Sequence, residues 1–162
     1  MNEEKNNNGY DEEFFSFDFI NSNKNSFLIF KVENERYAIK VESITELIRF
    51  EEEKLIREVP NLPKYILGVM NIRTTVIPII DFRKMLNMTY GNYNKFSIII
   101  IVQNSEKIQF GIIVEDVETI SPIEETDTKP PKIGNINTDI IESIGEINGQ
   151  MVLVLNIDNM FK

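Results

Sequence analysis

Neither cysteine nor histidine occurs among the 162 residues of this chain. Without cysteine there is no disulfide framework, no thiol nucleophile and no thiolate metal site. Without histidine there is no Ser-His-Asp triad and no imidazole base, and nearly every zinc site is excluded. Catalysis is left to carboxylates, lysine, tyrosine and hydroxyls, which lowers the expectation of an enzyme. The seven glycines are scattered, with no GxGxxG and no GxxxxGK(S/T) to cradle a phosphate. The longest unbroken aliphatic run is Ile98 to Val102, far short of the ~20 residues that a spanning helix needs. The opening Met-Asn-Glu-Glu-Lys has no apolar stretch after a basic start, so no signal peptide is visible and the chain reads as cytoplasmic.

Basic residues are outnumbered, 17 against 26 acidic, for a net charge of −9. A phosphate backbone is repelled by such a surface, which argues against nucleic acid as a partner. Adsorption to an anionic membrane leaflet is disfavoured for the same reason, and no direct membrane insertion is expected. The charge serves solubility, or steering toward a basic partner. Apolar residues make up 42% of the chain, enough for a globular core.

Residues 1–25 hold seven asparagines, six acidic residues and two lysines, and read as a polar, flexible tail. Inside it lies a dense apolar patch, Phe14-Phe15-Ser16-Phe17-Asp18-Phe19-Ile20, either a segment that docks on the folded body or a short motif for a partner. From Ser26 the pattern is strand-rich. Phe27–Glu33 and Arg36–Lys40 flank a turn at Asn34-Glu35, and Phe96–Gln103 and Lys107–Val114 form a second hairpin. Val41–Ile48 fits a short helix or a bent strand. Glu51–Val59 reads as a loop or helical turn, Pro130-Pro131 as a stiff break, and Gln150–Leu155 as a last strand.

The most informative stretch runs from Gly68 to Arg83. Val69, Val76, Ile77, Ile79 and Ile80 supply β-branched bulk, and Asn71, Arg73, Thr74 and Thr75 interrupt it where a hairpin would reverse. Pro78 has no N–H for a ladder, so this strand is expected at an edge or with a bulge. Asp81 is expected to cap the helical turn that follows. Arg73, at the tip, reads either as a solubilising charge or as a recognition group. Acidic runs such as Glu51-Glu52-Glu53 and Glu124-Glu125 read as solvated loops, because neighbours on a strand face opposite sides and cannot converge on one ion.

An internal repeat sets Tyr37–Glu52 against Phe110–Glu125 at an offset of 73, with identities at Ile39/Ile112, Val41/Val114, Glu42/Glu115, Glu51/Glu124 and Glu52/Glu125. Phe30–Asn34 corresponds to Ile100–Asn104, and Val76–Phe82 to Met151–Ile157. Agreement in order over three segments predicts two related β subdomains, roughly 26–90 and 95–162, too small to be comfortable apart and therefore packed together.

The run from Gly68 to Arg83 resembles the signature of the CheW family of chemotaxis coupling proteins, G-V-x-N-x-R-G-x-V-x-P-x-x-D-hydrophobic-R. Gly68, Val69, Asn71, Arg73, Val76, Pro78, Asp81 and Arg83 all fall in place, and the similarity extends from about Phe27 to Phe161. The resemblance implies a mainly all-β fold of two SH3-like five-stranded barrels with short helical turns, strand exchange between them being open. It implies a non-enzymatic adaptor with no cofactor, no metal and no catalytic residue. Its partners would be the cytoplasmic tips of chemoreceptors and the regulatory domain of the histidine kinase CheA, in arrays at the membrane. A related scaffold in a non-chemotaxis array is the alternative, and a small carboxylate-dependent β-barrel hydrolase the alternative of another class. Carried to matching positions, receptor contacts fall on Ile44, Glu46, Gly68, Asn71 and Arg73, and kinase contacts on Lys129, Pro130 and Ile133. Thr74 stands where the family has glycine, so the turn is expected to be of another type or to aim Arg73 differently. The chain ends at Lys162 just after its last strand, which argues against multidomain relatives with a receiver or kinase domain unless the chain is an excised fragment.

Overall fold

The computed structural model describes residues 25–50, 56–89, 93–126 and 138–161. Among the described residues twelve strands carry the fold: β1 (Phe27–Val32), β2 (Glu35–Lys40), β3 (Ile44–Arg49), β4 (Ile56–Arg57), β5 (Ile66–Ile72), β6 (Thr75–Asp81), β7 (Ile98–Gln103), β8 (Gln109–Val114), β9 (Val117–Ser121), β10 (Glu124–Thr126), β11 (Ile141–Ile147) and β12 (Gln150–Leu155). Helix among the described residues is confined to single turns, chiefly α1 (Phe82–Met85) and α2 (Ile157–Met160). The ambiguous Val41–Ile48 segment resolves into both of its readings. Val41–Ser43 is a 3₁₀ turn and Ile44 onward is strand.

Turn chemistry explains where the strands reverse. Glu33-Asn34, Arg73-Thr74 and Asn148-Gly149 are two-residue connections between paired strands. Asn148 and Gly149 both have positive φ, 50° and 76°. In the Arg73-Thr74 turn only Arg73 does, at 59°. A β-branched residue avoids the left-handed region, so the strain falls on the residue before it and the turn type differs from that of its counterpart.

Two six-stranded sheets result, ordered β10-β11-β12-β2-β1-β9 and β4-β5-β6-β8-β7-β3. Each adds a short strand, β10 or β4, to the five expected, and among the described residues neither ladder closes into a barrel. The two orders are the same pattern written twice: β1, β2 and β9 of one sheet take the places of β7, β8 and β3 in the other. Each half therefore lends its first hairpin to the sheet of the other half, through the parallel pairs β12–β2 and β6–β8. Pro78 sits on an inner strand, not an edge. It is tolerated because pairing with β8 begins only at Ile79, and the β5–β6 ladder turns irregular one pair beyond it, where Ile66–Gly68 faces Ile79–Ile80.

The largest core lies between the sheets. Ile98, Ile100 and Val102 of β7 face it, while Ile99 and Ile101 face a second cluster belonging to their own sheet. Burial on both faces is why that strand is unbroken aliphatic. Phe30, Tyr37 and Phe82 form an aromatic group at the centre, with ring centroids 4.9–5.8 Å apart. The first sheet has a smaller cluster of its own, Phe27, Ile29, Ala38, Val152 and Val154. At the repeat position of buried Ile113 it carries Lys40, which pairs with Glu142 at 3.4 Å.

Candidate functional site

The signature residues of the Gly68–Arg83 run have unlike surroundings. Gly68 is buried, and a Cβ there would stand 2.3 Å from the Arg57 carbonyl oxygen and 2.9 Å from Ile56 Cγ2. Its absent side chain lets β4 pair against β5. Asn71 and Arg73 are exposed on the outer end of the β5–β6 hairpin, and Val76, opposite Asn71 in the ladder, is 63% exposed. No hydrogen bond or ion pair engages the Arg73 side chain among the described residues.

Asp81 and Arg83, by contrast, are spent inside the molecule. Asp81 is fully buried and caps α1, accepting from the Lys84 amide at 3.3 Å as expected. The same carboxylate oxygen accepts from the Tyr93 hydroxyl. Burial first, and that hydrogen bond to Asp81 second, hold the Tyr93 phenol far above its ordinary range. Arg83 does not pair with Asp81. It bonds Glu33 in the β1–β2 turn at 2.5 Å and Glu115 after β8 at 3.0 Å. The hydrogen bond to Glu33 chiefly raises its pKa further. Neither carboxylate partner was visible as a partner in the sequence, because 50 and 32 positions separate them from Arg83.

Ile44 and Glu46 begin β3, an edge strand. Four strand spacings of about 4.8 Å separate β3 from β5 along the sheet, roughly 19 Å before curvature. The structure thus groups Asn71 with Arg73 and sets Glu46 on the other edge. Ile44 is 5% exposed and belongs to the central core, so the accessible charge of this pair is Glu46. Between the sheets, beside Thr45, runs a groove of about 510 Å³ lined by Lys40, Glu42, Ser43, Thr45, the segment Gln103–Lys107 without Glu106, Glu142 and Leu155–Asp158. Lys129, Pro130, Ile133 and the Phe14–Ile20 patch lie outside the described residues. Exposed Val76 is the residue that sequence reasoning passed over, since it looked like any other apolar strand position. No group of three or more metal-ligating side chains converges among the described residues.

Comparison with known proteins agrees with this architecture. Residues 26–162 match the family described as CheW-like domain. Chemotaxis protein CheW of Bacillus subtilis is 32% identical over 130 residues, covering 80% of this chain and 80% of that protein. Its namesake in Helicobacter pylori is 28% identical over 137 residues, covering 84% and 81%. Among solved structures, the scaffolding protein TtCheW from Thermoanaerobacter tengcongensis superposes with a TM-score of 0.69 at 26% identity, over 82% of this chain and 88% of that one. With the signature hairpin, the doubled sheet pattern and the match over residues 26–162, the chain belongs to the CheW family of non-enzymatic adaptor proteins.

Proposed function

We propose that the chain couples the cytoplasmic tips of chemoreceptors to the regulatory domain of the histidine kinase CheA. The observation that carries this reading is the division of labour within the signature. Asp81 and Arg83 are consumed by the fold, whereas Arg73 stands exposed beside Asn71 and Val76 with no intramolecular partner among the described residues. A charge held at a hairpin tip next to an exposed apolar side chain is a recognition arrangement. The receptor would be met by Asn71 and Arg73, with Glu46 on β3 and support from Ile44 and Gly68. The kinase would be met by the segment holding Lys129, Pro130 and Ile133. Interfaces of this kind bury about 800 Å² per partner. No helix among the described residues is long and apolar enough to cross a membrane, so placement in a membrane array would come through the receptors.

Titration of the purified chain against CheA's regulatory domain and a receptor signalling fragment tests the proposal. Saturable binding to both is the expected result. Binding to neither would return the chain to a scaffold of some other array.

A further inference from the structure

The repeat gives the molecule two equivalent seams between its sheets, and they are closed differently. In the first seam Arg83, second residue of α1, reaches Glu33 in the β1–β2 turn and Glu115 after β8. In the second seam the equivalent of Arg83 is Asp158, second residue of α2, and the equivalent of Glu115 is Glu42. The β7–β8 turn takes the place of the β1–β2 turn, and Asp158 accepts from its Ser105 amide at 2.8 Å. An acid thus stands where the first seam has its arginine. The seam opens into the groove of about 510 Å³, with Glu42 and Asp158 on its walls. Lys40 in that groove is already paired with Glu142. The side chains of Glu42 and Lys107 have no hydrogen-bond or ion-pair partner among the described residues.

We infer that the open seam receives the guanidinium of an arginine presented by a partner protein, which does in trans what Arg83 does in cis. The molecule itself displays the group that fits, because Glu115, identical in the repeat to Glu42, holds a guanidinium in the closed seam. A planar fork of N–H donors matches two carboxylates that line one groove from different elements better than an ammonium does. The net charge of −9 draws a cationic segment toward the surface. Lys107 at the groove favours an acidic neighbour of that arginine in the partner.

The test is a titration of the full ¹⁵N-labelled chain with N-acetyl-arginine-amide, followed by amide chemical shifts. The neutral isostere N-acetyl-citrulline-amide is the control. Saturable shifts at Glu42, Ser105 and Asp158 with arginine alone are expected, with Glu33 and Glu115 unmoved. Glu42→Gln, at an exposed position, should weaken the response about tenfold, the value of one charge-assisted hydrogen bond. Asp158→Arg should abolish it by filling the seam from within. Equal shifts with citrulline, shifts that never saturate, or a Glu42→Gln response like that of the parent would each overturn the inference. The probe contains neither receptor nor kinase, so its failure leaves the receptor–kinase reading untouched.

Discussion

Arg83 and Glu33 meet at 2.5 Å although 50 residues separate them, and the same guanidinium reaches Glu115 at 3.0 Å. The two carboxylates lie at the ends of the two exchanged hairpins, one from each half of the chain. A single side chain therefore ties both hairpins beside α1. Arg83→Ala should cost about 1 kcal/mol, because it removes two ion pairs whose carboxylates remain hydrated, at 58% and 46% exposure, together with the packing of a side chain that is itself only 15% exposed. Urea unfolding would show this as a lower midpoint at unchanged slope. An unchanged midpoint would mean that the clasp contributes nothing.

Arg73→Asp should separate recognition from stability. The residue is exposed and unpartnered among the described residues, so unfolding free energy should move by no more than about 0.5 kcal/mol. Receptor binding should fall while kinase binding is retained. Pull-downs in which the variant holds both partners equally well would remove Arg73 from the receptor surface.

Gly68→Ala should act through the fold and not through lost contact. The added methyl meets the Arg57 backbone at 2.3 Å, so β4 must shift or the pairing with β5 must break. Overpacking of this kind costs about 1–3 kcal/mol. Amide exchange of Ile56 and Arg57 should accelerate in the variant, and equal exchange in both proteins would contradict the account.

Alkaline pH should weaken the fold before it affects any arginine. Burial, with a smaller contribution from Glu35, pushes the Tyr37 phenol from 10 up to about 12. A group whose folded pKa is raised lends stability that is complete below its unfolded value and is lost as pH climbs to the folded one. Stability should therefore decline between pH 10 and about 12, by about 1.4 kcal/mol per unit for this residue. Tyr93, raised further by burial and Asp81, adds to the loss. Tyr37→Phe should flatten the decline measured by unfolding at stepped pH. An identical pH profile would exclude Tyr37 as its source.

Strand positions were largely legible because a period of two is written locally. The β1–β2 and β7–β8 hairpins appear in the structure within a residue or two of their expected limits. Asp81 as a cap was legible too, since capping joins residues three apart. Of the two readings of Pro78, edge strand or bulge, the edge failed, because an inner strand can hold a proline where one ladder has not yet begun, whereas the β5–β6 ladder does carry an irregularity beside it, between Ile66 and Gly68. The exposure of Val76 was equally hidden: alternation tells which residues share a face, but only the packing of sheet on sheet tells which face is covered.

By itself the sequence determined what this protein excludes, where its strands run, that its halves are related, and which hairpin carries the family pattern. All of these depend on residue chemistry or on neighbours a few positions apart. The tertiary structure alone decided that the halves exchange their first hairpins, that Arg83 is a clasp while Arg73 faces solvent, and that one seam is shut and its twin open. Those outcomes hang on contacts between residues tens of positions apart, whose charges read the same in a linear chain whether they end up paired inside the fold or waiting at its surface.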